Sequence, residues 1–226
     1  MVGATEAPRW AALRPPSDVE PGSPMTTTDA STGDRTVVDV IVEDHRVIQD
    51  LFRRGQATTD PQELKHITDQ VIGELVRHAE AEEQYLYPAF REHLEGGDEL
   101  ADHELSEHQE AEAEMDEIME LGADDPELRR RFEQLVEEIN HHIEGEETEA
   151  LPRLAAACPR EQLVTLGTKI EAAKKMAPTR PHPSSPDTPP LNKVLGLGAS
   201  LVDRTRDAVT GRDTHAPERG GDDTAR

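Results

Sequence analysis

The sequence predicts an all-α fold, an antiparallel up-down four-helix bundle (with a short extra helix and disordered termini), on three observations. Apolar residues recur at three- and four-residue steps through four long segments, which is the period of one helix face. Short stretches rich in Gly, Pro and Asp separate those segments, as between Gly55 and Pro61, at Gly96-Gly97 and between Gly122 and Pro126, so successive helices run antiparallel. The third observation is a repeat: His78, Glu82, Glu83 and Pro88 return 64 positions later as His142, Glu146, Glu147 and Pro152.

Composition limits what such a bundle can meet. The chain has 226 residues, 34% apolar, 3% aromatic and 32% charged, which suits one helical domain with polar ends better than two cored domains. Its net charge of −24 sits almost wholly in the middle, because residues 1–35 hold three basic and five acidic groups and residues 177–226 hold seven of each. That field repels phosphate backbones, so nucleic acid and anionic membrane surfaces are poor partners while cations are favoured. Cys158 is the only cysteine, which excludes an intrachain disulfide and suits a reducing compartment. With no apolar run near the ~20 residues of a membrane span, the chain reads as cytoplasmic.

The elements follow in order. Residues 1–35, rich in Pro, Gly, Ser, Thr and Asp with Trp10 among them, are expected to be disordered, and Met25 offers a second start. A bundle domain is expected over 36–176. Its first helix runs from about Thr36 to Arg54 on Val38, Ile41, Val42, Ile48 and Phe52, with His45 inside the stripe and Gly55 as the stop. Thr59-Asp60-Pro61-Gln62-Glu63 supplies an N-cap, a first-turn proline and a capping-box glutamate for the second helix. That helix reaches about Tyr87 or beyond, with Val71, Leu75, His78, Glu82 and Leu86 on its buried face; Pro88 kinks or closes it and Gly96-Gly97 stops the rest.

Asp98 caps a third helix to about Leu121, whose thinner stripe carries Leu105, His108, Met115 and Met119. Asp125-Pro126-Glu127 opens the fourth, with Leu128, Phe132, Leu135, Ile139, His142, Glu146 and Ala150 on one face. After Cys158-Pro159 a short helix to about Met176 turns Leu163, Leu166 and Ile170 to the bundle, with Lys169, Lys174 and Lys175 near its end. Residues 177–226 read as a proline-rich linker and mostly disordered tail, with a weak amphipathic helix between Leu191 and Gly211.

Facing polar residues in a bundle core are where such folds build metal sites. The candidates are His45, His78, Glu82, His108, His142 and Glu146, all on apolar stripes. His-x-x-x-Glu puts an imidazole and a carboxylate one turn apart on one face. The spacing alone is common here, recurring at His103/Glu107 and His108/Glu112; the register inside an apolar stripe is what distinguishes the two repeated copies. A carboxylate turned into a helical core is costly unless a cation or strong hydrogen bonds compensate it. The plain alternative is a set of hydrogen-bonded polar residues in a loosely packed acidic bundle.

Other residues are read against the same stripes. His103 and His141 read as solvated, with a fifth-His role open. Glu83 and Glu147 point about 100° from their ligand neighbours, so they read as solvated or as steadying a ligand. Tyr85 and Tyr87 read as packing residues near the site. Glu63-x-x-His66 and Glu138-x-x-His141 carry the spacing of ferritin-like sites but lie off the stripes.

The ordered series His45, His78-x-x-x-Glu82, His108, His142-x-x-x-Glu146 resembles the hemerythrin-like HHE cation-binding domains over about residues 36–176. The Glu-Glu-x-x-x-x-Pro sequel in both copies is similar to that family too, and the tail resembles that of some actinobacterial members. The resemblance implies a non-haem di-iron centre of two Fe ions, each held chiefly by one hairpin and bridged by Glu82 and Glu146. It implies dioxygen, peroxide or nitric oxide as small ligands. Oxygen-carrying hemerythrins have a further His four residues after the one on the third helix; Glu112 stands there in this chain, which weighs against reversible oxygen carriage.

The chemistry of the residues agrees. Imidazole with carboxylate suits iron, zinc or manganese, and six side chains leave open positions on two octahedral ions. Three functions are compatible: a redox-active di-iron protein, a non-catalytic iron or oxygen sensor whose C-terminal tail meets a protein partner, and a ferritin-like iron store.

Overall fold

The computed structural model describes residues 35–181 and Thr214; the expectations for the N-terminal arm, the tail helix and most of the linker fall outside them. Seven α-helices follow one another there: α1 (Val37–Ala57), α2 (Pro61–Ala81), α3 (Tyr87–His93), α4 (Gly97–Met119), α5 (Glu127–Gly145), α6 (Leu151–Ala157) and α7 (Arg160–Met176). Two π-helical segments, Glu82–Leu86 and Glu146–Ala150, join α2 to α3 and α5 to α6. The long helices α1, α2, α4 and α5 pack as an antiparallel four-helix bundle, and α7 lies across α1 and α2.

Local sequence accounts for most of the boundaries. Thr36 caps α1 reciprocally: its hydroxyl accepts from the Asp39 N–H at 3.3 Å, and Asp39 Oδ2 accepts from the Thr36 N–H at 2.8 Å. Asp60 caps α2 by accepting from the Gln62 N–H at 2.9 Å. Gly96, at φ 70°, takes the left-handed turn that a side chain would strain, and α4 begins after it.

Several sequence expectations are corrected. Gly55 lies inside α1 rather than ending it, because a Cβ there would come within 2.3 Å of the Phe132 ring. The glycine lets α5 approach; it does not stop the helix. Glu63 reaches the Thr58 hydroxyl at 2.5 Å instead of closing a capping box. Asp98 falls in the first turn of α4, not at its cap. The buried face of α4 is Ala101, Glu104, His108, Ala111, Met115 and Ile118, with Leu105 and Met119 only half-buried. The helix after Cys158-Pro159 ends at Met176 as expected, with Leu163 and Ile170 buried but Leu166 only half-buried.

Pro88 and Pro152 do not close their helices, which run on to His93 and Ala157. Each follows a wide turn in which the Tyr87 and Leu151 N–H groups donate to the Glu82 and Glu146 carbonyls, five residues back. A proline has no N–H for the ordinary bond, and the π-turn absorbs that deficit one residue before it. Such turns are frequent at functional sites, and both begin on a candidate ligand.

The core is two apolar clusters with a polar layer between them. One holds Ile48, Phe52, Ile67, Val71, Ile118 and Phe132 among others, with the Phe52 and Phe132 rings edge to face at 6.2 Å. The other holds Ile41, Leu86, Tyr87, Phe90, Leu151 and Ile170 among others. Along α1, for example, Ile41 belongs to one cluster, Ile48 to the other, and His45 lies between. Thr214 also reaches the bundle: its carbonyl accepts from Arg77 Nη2 at 2.5 Å, and a Cβ on Gly73 would meet it at 2.7 Å.

Candidate metal centre

The structure brings all six predicted residues into the polar layer. His45, Glu82 and Glu146 are fully enclosed, and His78, His108 and His142 are buried. Glu82 stands between the hairpins, with Oε1 3.2 Å from His78 Nε2 and Oε2 3.5 Å from His108 Nε2. Glu146 does the same from the other side, with Oε2 3.3 Å from His45 Nε2 and 3.9 Å from His142 Nε2. The His45 and His78 rings lie 4.9 Å apart and the His108 and His142 rings 5.0 Å apart.

Despite those approaches, few inner atoms are satisfied. Both oxygens of Glu82 and of Glu146, together with Nε2 of His45, His78 and His142, have no hydrogen-bond partner. Each such group costs about 1–3 kcal/mol when left unmatched, more if charged. Donor atoms of His45, His78, Glu82 and Glu146 lie within 4.8 Å of one another, as do those of Glu82, His108 and His142. Opposite donors on one ion stand ~4.2 Å apart at ordinary bond lengths, so shifts of tenths of an ångström would close either group on a cation.

The outer ring nitrogens are held by carboxylates. His45 Nδ1–H donates to Glu147 at 2.8 Å, and Arg46 in turn donates to Glu147 at 2.6 and 3.0 Å. His108 Nδ1–H donates to Glu83 at 3.0 Å. His142 Nδ1 lies 2.9 Å from Glu107 and 3.1 Å from Glu104. This is the pattern by which a carboxylate fixes the tautomer of a ligating histidine and aims Nε2 inward. His78 is the exception, with Asp44 Oδ2 at 3.7 Å, beyond a hydrogen bond.

Electrostatics follow from burial and proximity. Burial, with Glu146 close by, pushes the Glu82 carboxyl well above its usual range. Burial opposes ionisation of Glu146 too, but His142 and His45 outweigh it and hold that carboxyl low. Burial drives His78 down to about 4, and burial with His142 beside it drives His108 down to about 3. For His142 burial is outweighed by Glu146 and by the Glu104 and Glu107 contacts, which raise it well above 6.5.

Residues outside the six also matter. The Tyr87 hydroxyl donates to His108 Nε2 at 2.9 Å, so Tyr87 does more than pack. Tyr85 lies under the Lys169 ammonium at 5.9 Å. Asp44 and Glu104 carry no signal in the sequence, and Glu107 enters only as a background copy of the His-x-x-x-Glu spacing, although Asp44 and Glu107 each immediately precede a candidate histidine and Glu104 is one turn before His108. His103 and His141 are exposed, as are Glu63, His66 and Glu138, so the two Glu-x-x-His pairs do not share the buried layer. A cavity of about 20 Å³, room for about one water-sized molecule, lies beside His78, His108 and His142 between Ile48, Met115 and Ile139, with Glu112 at its edge.

The arrangement defines a helical-bundle protein whose interior offers converging imidazoles and carboxylates to cations. The chain belongs to the hemerythrin HHE cation-binding domain family, whose pattern it matches over residues 36–154. It is 31% identical over 174 residues to a hemerythrin-like protein of Schizosaccharomyces pombe, covering 76% of this chain and 86% of that one. It is also 31% identical over 150 residues to a DNA nickase of a Nostoc strain, covering 66% of this chain but only 42% of that longer protein. The crystal structure of a hemerythrin HHE cation-binding domain-containing protein from Mycobacterium kansasii superposes with a TM-score of 0.53 at 22% identity, covering 62% of this chain and 86% of the other. Among the described residues no helix is long and apolar enough to cross a membrane.

Proposed function

We propose that the bundle holds two iron ions through His45, His78, Glu82, His108, His142 and Glu146, and binds or reacts with dioxygen, peroxide or nitric oxide. The observation that carries this is the set of buried, unpartnered oxygen and nitrogen atoms on Glu82, Glu146, His45, His78 and His142, a set that a pair of cations would satisfy at once. Glu82 and Glu146 would lie between the ions, since each faces histidines of both hairpins. Bound iron would supply redox chemistry and open coordination positions. The chain's own residues do the rest: the outer carboxylates orient the imidazoles, the Tyr87 hydroxyl, which binds His108 Nε2 when no cation does, would be left free beside the site, and the cavity has room for one small molecule.

Metal analysis of protein purified without added metal tests the reading, followed by anaerobic loading with ferrous iron and exposure to air or peroxide. Two irons per chain and a ferric charge-transfer band are expected; one zinc, or nothing, would overturn it. A sensor reading has one observation in its favour, the contact of Thr214 with Gly73 and Arg77 on the helix that carries His78. It requires that proteolysis of the C-terminal region change on metal binding. The nicking activity of the Nostoc relative is not carried over, because a chain of net charge −24 repels a polyphosphate backbone.

A further inference from the structure

Three of the four imidazoles are clamped from behind, at 2.8 Å for His45, 3.0 Å for His108 and 2.9 Å for His142. His78 is not. Its Nδ1 and Asp44 Oδ2 are both buried and both unpartnered, 3.7 Å apart. Asp44 occupies the place in the first hairpin that Glu107 occupies in the second, directly before the histidine of the leading helix, and Glu107 does reach its target, His142. Two things differ: aspartate is one methylene shorter than glutamate, and from α7 the Lys174 ammonium engages Asp44 through Oδ1, the other oxygen of the same carboxylate.

We infer that Lys174 is a positioning residue that draws Asp44 away from His78, leaving His78 the loosest ligand and making the cation it holds the more exchangeable of the two. This rests on the two-cation reading and adds to it. Lys174 lies beyond residues 36–154, so this control comes from an element outside the family's matched segment. Two effects share one sign: removing the ammonium frees Asp44 to accept from His78 Nδ1–H, and it removes a positive charge near the cations.

The test uses the full chain loaded with ferrous iron under anaerobic conditions and a chromogenic chelator in excess. For Lys174→Gln, release of one iron of the two should slow by about tenfold, the lower end of the effect of partners behind metal ligands. Lys174→Arg keeps the charge and should release iron as the parent does. In an Asp44→Asn background, Lys174→Gln should lose most of its effect, since the lysine acts through that carboxylate. Release by Lys174→Gln at the parental rate or faster, from protein that binds two irons and melts as the parent does without metal, would overturn the inference alone. A parent chain that binds no iron would remove the two-cation reading and the inference with it.

Discussion

Replacing Glu82 by leucine should move the metal-free and metal-loaded proteins in opposite directions. In the metal-free protein both Glu82 oxygens are enclosed and unpartnered, and Glu146 lies close enough to push the carboxyl toward its protonated form. A buried polar group left unsatisfied costs about 1–3 kcal/mol, which an apolar side chain of similar volume avoids; taking ~2 kcal/mol, with ~2–4 °C per kcal/mol for a domain of this size, the melting temperature in chelator should rise by about 4–8 °C. With cation at a hundredfold excess over its dissociation constant, the parent gains about 2.7 kcal/mol. The variant lacks the carboxylate that faces both hairpins and should gain less than half of that. Differential scanning calorimetry with chelator and with ferrous iron reads both signs. A Glu82→Leu protein that melts lower than the parent in chelator would show that the carboxylate is satisfied without a cation, and the reasoning would fail.

Other outcomes follow from the same geometry. Glu147→Gln and Glu83→Gln weaken the acceptors behind His45 and His108 and should each lower metal affinity by about 10–100-fold, read by competition with a chromophoric chelator. Glu82 and His142 both hold protons above their ordinary ranges, and a cation must displace them; affinity should therefore fall as pH is lowered, and calorimetric heats should differ between buffers of unlike ionisation enthalpy, equal heats being the contrary result. Gly55→Ala meets the Phe132 ring and should cost about 1–3 kcal/mol in urea unfolding, without changing the number of cations bound. Tyr87→Phe leaves His108 Nε2 without its 2.9 Å donor and should cost about 1 kcal/mol without metal, the loss disappearing once metal is loaded.

The convergence of the six side chains was legible because histidine and glutamate are conspicuous inside an apolar stripe of period 3.6, and because 78/82 returns at 142/146. What lay behind them was not. Glu104 is buried against His142, but on a helix as rich in acid as α4 one more glutamate carries no signal. Gly55 was misread because glycine both ends helices and permits close approach, and only Phe132, on another helix, separates the two. The π-turns left a trace only in Pro88 and Pro152. Glu83 and Glu147 read by helix geometry as solvated or as steadying a ligand, and they do hold histidines; that each serves the opposite hairpin depends on packing that sequence spacing does not encode.

That crossing decides how the site depends on the fold. Glu83, from the first hairpin, holds His108 of the second, and Glu147, from the second, holds His45 of the first. Glu82 and Glu146 likewise face histidines of both. A single hairpin would keep its His-x-x-x-Glu pair yet lack the clamp on its leading histidine and half of the carboxylate contacts, so the buried layer becomes competent only when the hairpins dock. The symmetry is then broken at two points. Tyr87, which reaches His108, has Leu151 as its counterpart 64 positions on, and Asp44 is engaged by Lys174 while Glu107 is free to meet His142. On the two-cation reading, two halves alike in ligands but unlike in what stands behind them would not bind cations with equal strength, and loading would be stepwise because of the same contacts that build the site.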